Sequence, residues 1–435
     1  MEWYSTERRC PPVSLRQAVL EGLAPDRGLY MPERIPRLPE RFFEELPGMD
    51  FVSISKTVAR AFFGDDVPSA DLDRIVEETL SFDCPVVPVE DGIWSLELFH
   101  GPTLAFKDVG ARFMARLLGY FTSRSGEGGT VDVLVATSGD TGSAVANGFL
   151  GVPGTRVHVL YPKGRVSPIQ ESQFTTLGRN ISALEIDGSF DDCQALVKGA
   201  FLDQELQEAL RLTSANSINV ARFLPQSFYY FYGYAQMAAR GKAGRLVVCV
   251  PSGNFGNICS ALIAKRMGLP VEHFIAANNS NDVFFQYLSD GVYRPRPSVR
   301  TLANAMDVGD PSNFARILDL YGHDWKDIRA DISGFVADDT AIMETIAGCY
   351  RRTGYLLDPH GACGYRALKA GLRPGETGIF CETAHPAKFK DTVEAATGHP
   401  VPVPARLQAF LSGKKAAVPL PAESAAFKDY LLSLA

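Results

Sequence analysis

Twice in this chain an apolar, β-branched run stops at a short turn of Ser, Gly, Thr and Asn, and a helical pattern begins directly after it. The first is VDVLVAT (131–137), followed by SGDTG and the small-residue stretch Ser143 to Leu150. The second is RLVVCV (245–250), followed by PSGNFGN and the stretch Ile258 to Met267. A strand that runs straight into a helix does not return as a hairpin; it builds a parallel βαβ unit. The alternation continues through RVHVLYP (156–162), ISALEI (181–186), VEHFIAAN (271–278), ISGFVADD (332–339) and GIFCET (378–383), with helical stretches at 190–202 and 227–241 between them. The expected class is therefore α/β, with mostly parallel, open, twisted sheets.

At ~100–200 residues per domain, 435 residues predict two or three domains. Apolar residues at 46% and charged residues at 21% exclude general disorder. With 43 basic and 50 acidic residues the net charge is −7 and there is no basic block, so nucleic acid is not an expected partner. The longest uncharged run, Leu246 to Ala264, is broken by Pro251, Gly253, Asn254, Gly256 and Asn257, so no membrane span is expected. MEWYSTERRC at the start has no apolar stretch after its arginines, and Glu2 and Glu7 oppose a transit peptide. The 8 cysteines include no C-x-x-C pair, and Cys249, Cys259, Cys349 and Cys381 sit singly in apolar runs. They read as reduced, buried thiols in a cytoplasmic protein, with no metal site. Val13 to Leu23 and Asp71 to Phe82 have helical periods, 291–312 reads as a long loop, and the Pro-rich stretch 400–422 reads as a surface tail.

The repeated device is an anion cradle. The first amides of a helix lack intrahelical partners, and with the helix dipole they favour phosphate or carboxylate. Neither copy matches G-x-x-x-x-G-K-[ST] or G-x-G-x-x-G, so neither is a P-loop or a dinucleotide fingerprint. A single turn of this kind is often only structural; two of them, both rich in hydroxyl and amide side chains, point to ligands. A second signal is FHGPTLAFKDVGARF (99–113). Lys107 follows the apolar Leu104 to Phe106, and a desolvated lysine is nucleophilic toward an aldehyde. A lysine at a helix start is ordinarily a surface residue. Together with a phosphate cradle it describes a pyridoxal phosphate site. A third signal, CETAHPAKF (381–389), holds Thr383 and His385; a lone His before Pro is more often a structural hydrogen bonder than a base.

HGPTLAFKD, ATSGDTGSA (136–144), YPKGRVSPIQ (161–170), PSGNFGN (251–257) and TAHPAKF (383–389), in this order, resemble the threonine synthases. These are pyridoxal-phosphate enzymes of the tryptophan-synthase-β (type II) fold. STERRCPPVSLRQAVLEGLAPDRGLYMP also resembles the family's start, with Arg27 where a glycine is expected. The likeness runs from about residue 4 to about 400. It implies a type II pyridoxal-phosphate fold of two open sheet domains plus an N-terminal α/β extension. The expected division is 1–95 as N-terminal domain, 96–110 with 226–400 as the large cofactor-binding domain, 111–225 as the small domain and 401–435 as a C-terminal tail.

The resemblance also implies roles. Lys107 is the lysine that binds the cofactor covalently. Gly253, Asn254, Phe255, Gly256 and Asn257 surround its phosphate, and Thr383 offers a hydroxyl to the pyridine nitrogen. Asp140, where many relatives of the wider fold carry Asn, lies toward the cofactor's O3′. Thr137, Ser138, Gly139 and Thr141 take the substrate α-carboxylate. Asn216, Ser217 and Arg222 in NSINVAR, helped by Lys163, take the substrate phosphate. The implied substrate is O-phospho-L-homoserine, converted with water to L-threonine and phosphate by a cytoplasmic monomer or homodimer. Two alternatives stay open on the same fold: an amino-acid dehydratase, and a phospholyase that releases 2-oxobutyrate and ammonia.

Overall fold

The computed structural model describes residues 1–124 and 129–434. In chain order its strands are β1 (Trp3–Ser5), β2 (Tyr30–Pro32), β3 (Val86–Glu90), β4 (Ile93–Glu97), β5 (Val131–Ala136), β6 (Thr155–Pro162), β7 (Ile181–Asp187), β8 (Arg211–Ser214), β9 (Leu246–Pro251), β10 (His273–Asn278), β11 (Ile332–Val336), β12 (Thr377–Glu382) and β13 (Val418–Pro421). The chain divides into two compact units. The first holds Met1, 31–106 and 223–402; the second holds 2–30, 107–222 and 403–435. Residues expected as one N-terminal domain thus divide at Tyr30 between the units.

The first unit is built on a six-stranded sheet in the order β11-β10-β9-β12-β4-β3. Four of its five pairings are parallel; only β3 and β4 are antiparallel. Every residue of β9 is buried, as a central parallel strand covered on both faces requires. The β3–β4 hairpin was not expected from the sequence, although Asp91-Gly92 is a strong hairpin signal. The loop expected at 291–312 is irregular apart from the short turn Asn304–Met306.

The second unit carries a five-stranded, all-parallel sheet in the order β13-β7-β6-β5-β8. The stretch expected as a surface tail enters this unit. It supplies the helix Ala405–Leu411, the edge strand β13 and the helix Ser424–Leu432. The reason is apolar: Phe427 and Leu431 are buried in one cluster with Leu184, Ile186, Cys193 and Leu196. Pro419 and Pro421 are tolerated in β13 because it is an edge strand.

Strand order reverses once in each sheet, between β9 and β12 in the first and between β5 and β8 in the second. In open α/β sheets such a switch point leaves a crevice beyond the carboxyl ends of the strands, where ligands bind.

Candidate active site

In the first unit, residues 252–257 follow β9 and residues 383–385 follow β12, so both lie at this sheet's switch point. The helix Gly256–Arg266 starts without a side-chain cap, which leaves its first amides for a ligand. Phe255 enters it in the left-handed region, at φ 62°, with its ring 4.7 Å from that of Phe284. A Cβ on Gly253 would stand 2.7 Å from both Ala305 O and Met306 Cα, so only glycine fits under that loop. Asn254 Oδ1 accepts from Ser312 N (2.7 Å), which ties the cradle to the loop on its other side. Asn257 Oδ1 accepts from the hydroxyls of Tyr229 (3.2 Å) and Tyr230.

The segment before Lys107 is clipped to the segment after β12. Phe106 N donates to Thr383 O (2.9 Å), His385 N to Leu104 O (3.1 Å) and the buried Lys388 Nζ to Thr103 O (2.9 Å). The clip holds Leu104 at φ 58°, an uncommon conformation for a branched side chain. Lys107 follows directly and opens the helix Lys107–Arg124. His385 accepts from Ala387 N through Nδ1 (3.1 Å), so it caps the turn Pro386–Phe389. Burial, reinforced by His100, pushes its pKa down to about 4.

Glu382 was not picked out from the sequence. It is fully buried, accepts from Asp358 N through Oε1 (2.6 Å), and leaves no room for a Cβ on Gly361. Desolvation, with the charge of Asp358 added, raises its pKa well above the carboxylate range.

In the second unit the first cradle and NSINVAR lie at the β5–β8 switch point. Thr137 Oγ1 accepts from Gly139 N (2.9 Å) and Gly142 N (2.8 Å), so this hydroxyl shapes the loop. Gly139, at φ 145°, precedes the helix Asp140–Phe149, which has no side-chain cap. Gln170 Nε2 donates to Asp140 Oδ1 (2.9 Å), a buried contact. Ser138 and Thr141 are half-buried at the mouth of the loop. Asn216 Nδ2 donates to Ala136 O (3.1 Å), which joins the ends of β5 and β8. Arg222 is buried and donates to Lys107 O (3.3 Å), and Ser217 is half-buried in the turn between them. Lys163 is exposed after β6, on the side of β5 away from β8.

The family described as "Pyridoxal-phosphate dependent enzyme" matches residues 84–380, "Threonine synthase N terminus" matches 2–80 and "Threonine synthase, C-terminal" matches 361–431. Threonine synthase from Escherichia coli is 43% identical over 433 residues, covering 100% of both chains. That from Haemophilus influenzae is 45% identical over 407 residues, covering 94% of each. The chain belongs to the threonine synthase family. The crystal structure of the Escherichia coli threonine synthase matches with a TM-score of 0.94 over 100% of both chains. The pyridoxal-phosphate-bound threonine synthase from Brucella melitensis matches at 0.93, with 36% identity, over 100% of this chain and 99% of that one.

The cofactor of this chain is pyridoxal 5′-phosphate. The residues present fit it. The uncapped helix start at Gly256 and the buried Asn257 Nδ2, which meets no acceptor among the described residues, are donors suited to a phosphate dianion. Thr383 offers a neutral hydroxyl and Lys107 an amine. Among the described residues no helix is long and apolar enough to cross a membrane, and no group of three or more His, Cys, Asp or Glu is placed to hold a metal ion.

Proposed function

We propose that the chain converts O-phospho-L-homoserine and water to L-threonine and phosphate, with Lys107 as its catalytic residue. One observation carries the residue assignment. Phe106 N binds Thr383 O at 2.9 Å, so the candidate covalent lysine is the next residue in the chain after one bonded to the candidate ring-nitrogen partner. Two motifs far apart in sequence are joined at the point where this chemistry needs both.

When bound, pyridoxal phosphate supplies an electron sink for negative charge developing at the substrate's Cα. The chain supplies the rest. The amides of 253–257 and Asn257 Nδ2 hold the cofactor phosphate. Thr383 would meet the ring nitrogen with a hydroxyl, which, unlike a carboxylate, does not hold the nitrogen protonated. That favours loss of a γ-substituent over amine transfer. Asp140, held by Gln170, would serve the cofactor's O3′. The loop 137–141, built on the Thr137 oxygen, offers the substrate carboxylate its amides and the Ser138 and Thr141 hydroxyls. Asn216, Ser217 and Arg222 hold the phosphate ester, with Lys163 as an outer cation; a guanidinium with neutral donors suits a phosphate monoester. Lys107 Nζ takes the proton from Cα. A Cβ proton is then lost as phosphate leaves from Cγ, Cγ is reprotonated, water adds at Cβ, and a proton returns to Cα.

The protein acts in the cytoplasm, as a monomer or homodimer; its eight free cysteines, seven of them buried, support a reducing compartment. Incubation of the purified holoenzyme with O-phospho-L-homoserine tests the reading. Threonine and phosphate in equal amounts are expected. Phosphate with 2-oxobutyrate would make the enzyme a lyase, and no phosphate at all would remove the assignment of Asn216, Ser217 and Arg222. Lys107→Ala should abolish turnover, and a fully active variant would sink its role. Arg222→Ala should raise KM while the cofactor stays bound; loss of the cofactor instead would mean that the two anion sites are exchanged.

A further inference from the structure

We infer that Tyr229 and Tyr230 are positioning residues for the cofactor phosphate: they lock the Asn257 carboxamide so that its Nδ2 donates into the cradle at the start of the helix Gly256–Arg266. The inference rests on the reading that loop 253–257 holds that phosphate.

A carboxamide has an acceptor side and a donor side, and fixing one fixes the other. The Tyr230 hydroxyl donates to Asn257 Oδ1, and the Tyr229 hydroxyl shares its proton between Asn257 Oδ1 (3.2 Å) and Gln226 Oε1 (3.4 Å). Rotating the amide by half a turn would set its N–H groups against those two hydroxyls, which would then have to accept. The Tyr230 oxygen is already engaged, because Cys381 Sγ donates to it at 3.7 Å. Tyr230 is enclosed, and burial raises its pKa well above the phenol range, so it remains an O–H donor at any working pH. Asn257 is itself only 6% exposed, yet its Nδ2 meets no acceptor among the described residues. Buried donors are rarely left so. The uncapped amides of Gly256 and its neighbours stand at the same helix end. An amide donor held by two hydroxyls beside open backbone donors is a preorganised oxyanion site, with the orientation set before the ligand arrives.

A purely structural role predicts a different result. If the tyrosines only glue the core, their loss loosens the whole site; if they aim Nδ2, the loss is felt by the phosphate alone. The full-length chain freed of cofactor, as wild type, Tyr229→Phe, Tyr230→Phe and the double variant, is titrated with pyridoxal 5′-phosphate and with pyridoxal, which lacks the phosphate. The absorbance of the lysine-bound cofactor reports binding. The double variant should bind pyridoxal 5′-phosphate about tenfold or more weaker, the weight of one hydrogen bond to a charged group, and pyridoxal unchanged. Equal weakening of both ligands, or of neither, would overturn the inference. Asn257→Ala separates the two layers. If it too shows no phosphate-selective loss, the reading of loop 253–257 falls; if it does while the tyrosine variants do not, only the role of the tyrosines falls.

Discussion

Replacing Thr137 with valine keeps the side chain's volume and removes one oxygen, and that oxygen holds two amides. Thr137 is 1% exposed; its Oγ1 accepts from Gly139 N at 2.9 Å and from Gly142 N at 2.8 Å. Valine leaves both N–H groups buried without this partner. At about 1–3 kcal/mol for each stranded donor, the loop should lose ~2–6 kcal/mol of local stability. Serine is the control, because it keeps the oxygen and drops only the methyl. That methyl lies 2.5 Å from where a Cβ on Gly142 would stand, so it fills space the glycine leaves open. Its loss should cost ~1 kcal/mol. Native-state hydrogen exchange reads the difference at Gly139 and Gly142 directly. In Thr137→Val these amides should exchange about thirtyfold faster or more, and in Thr137→Ser by tenfold at most. KM for the substrate should follow the same order. Unchanged exchange in Thr137→Val, or a larger effect from serine than from valine, would refute the reasoning.

Gly253→Ala places a Cβ 2.7 Å from two backbone atoms of the 305–306 turn, which cannot rotate away; at ~1–3 kcal/mol of overpacking, cofactor affinity measured by equilibrium dialysis should fall about tenfold, and unchanged affinity would contradict it. His385 has its pKa lowered to about 4 by burial. The unfolded chain therefore takes up this proton near pH 6.5 while the native state does not, and stability falls as pH drops from about 6.5 to about 4, by at most ~3 kcal/mol. Denaturant midpoints at pH 7 and pH 5 check this, and His385→Asn, which can still cap, should flatten the profile. Leu431→Ala removes a fully buried side chain from the cluster of the second unit and should cost ~2–5 kcal/mol by denaturant unfolding; a shift below ~1 kcal/mol would show that the C-terminal helix is not part of that core.

The central strands among the seven expected from the sequence were legible for one physical reason. Strands covered by helices on both faces read as apolar runs, as β9 does throughout and β5 does apart from Asp132, and such runs between helical patterns have few other readings. The missed strands lack that property. In β8 the first residue is exposed and the second half-buried, and β13 is VPLP, with two prolines and a mostly exposed edge. The β3–β4 hairpin carried a readable turn at Asp91-Gly92 that was overlooked among the neighbouring prolines.

At the candidate site the motifs give the residues proposed to face a ligand but not those that hold them. Lys107, the 253–257 loop and Thr383 stand in short strings whose composition already suggests chemistry. Tyr229 and Tyr230 stand in an aromatic helix that reads only as core, and Gln170, Glu382 and Lys388 act on partners that sequence spacing does not reveal. Sheet topology supplies those pairings. Parallel order brings the end of β9 beside the end of β12, and the end of β5 beside that of β8. Each cradle therefore opens where its strand order reverses, and each needs a second segment from the neighbouring strand: 383–385 for the first unit's cradle, 216–222 for the second's. The sequence repeats the cradle because each sheet has its own crevice; what differs is the second segment, a neutral hydroxyl in one and a buried guanidinium in the other. On the proposed reading the ring of a cofactor belongs to the first crevice and a charged substrate group to the second, which makes Thr383→Asp and Arg222→Gln opposite experiments. The first should change the cofactor's absorbance with little effect on KM, the second should raise KM with the spectrum intact, and a shared phenotype would deny the division.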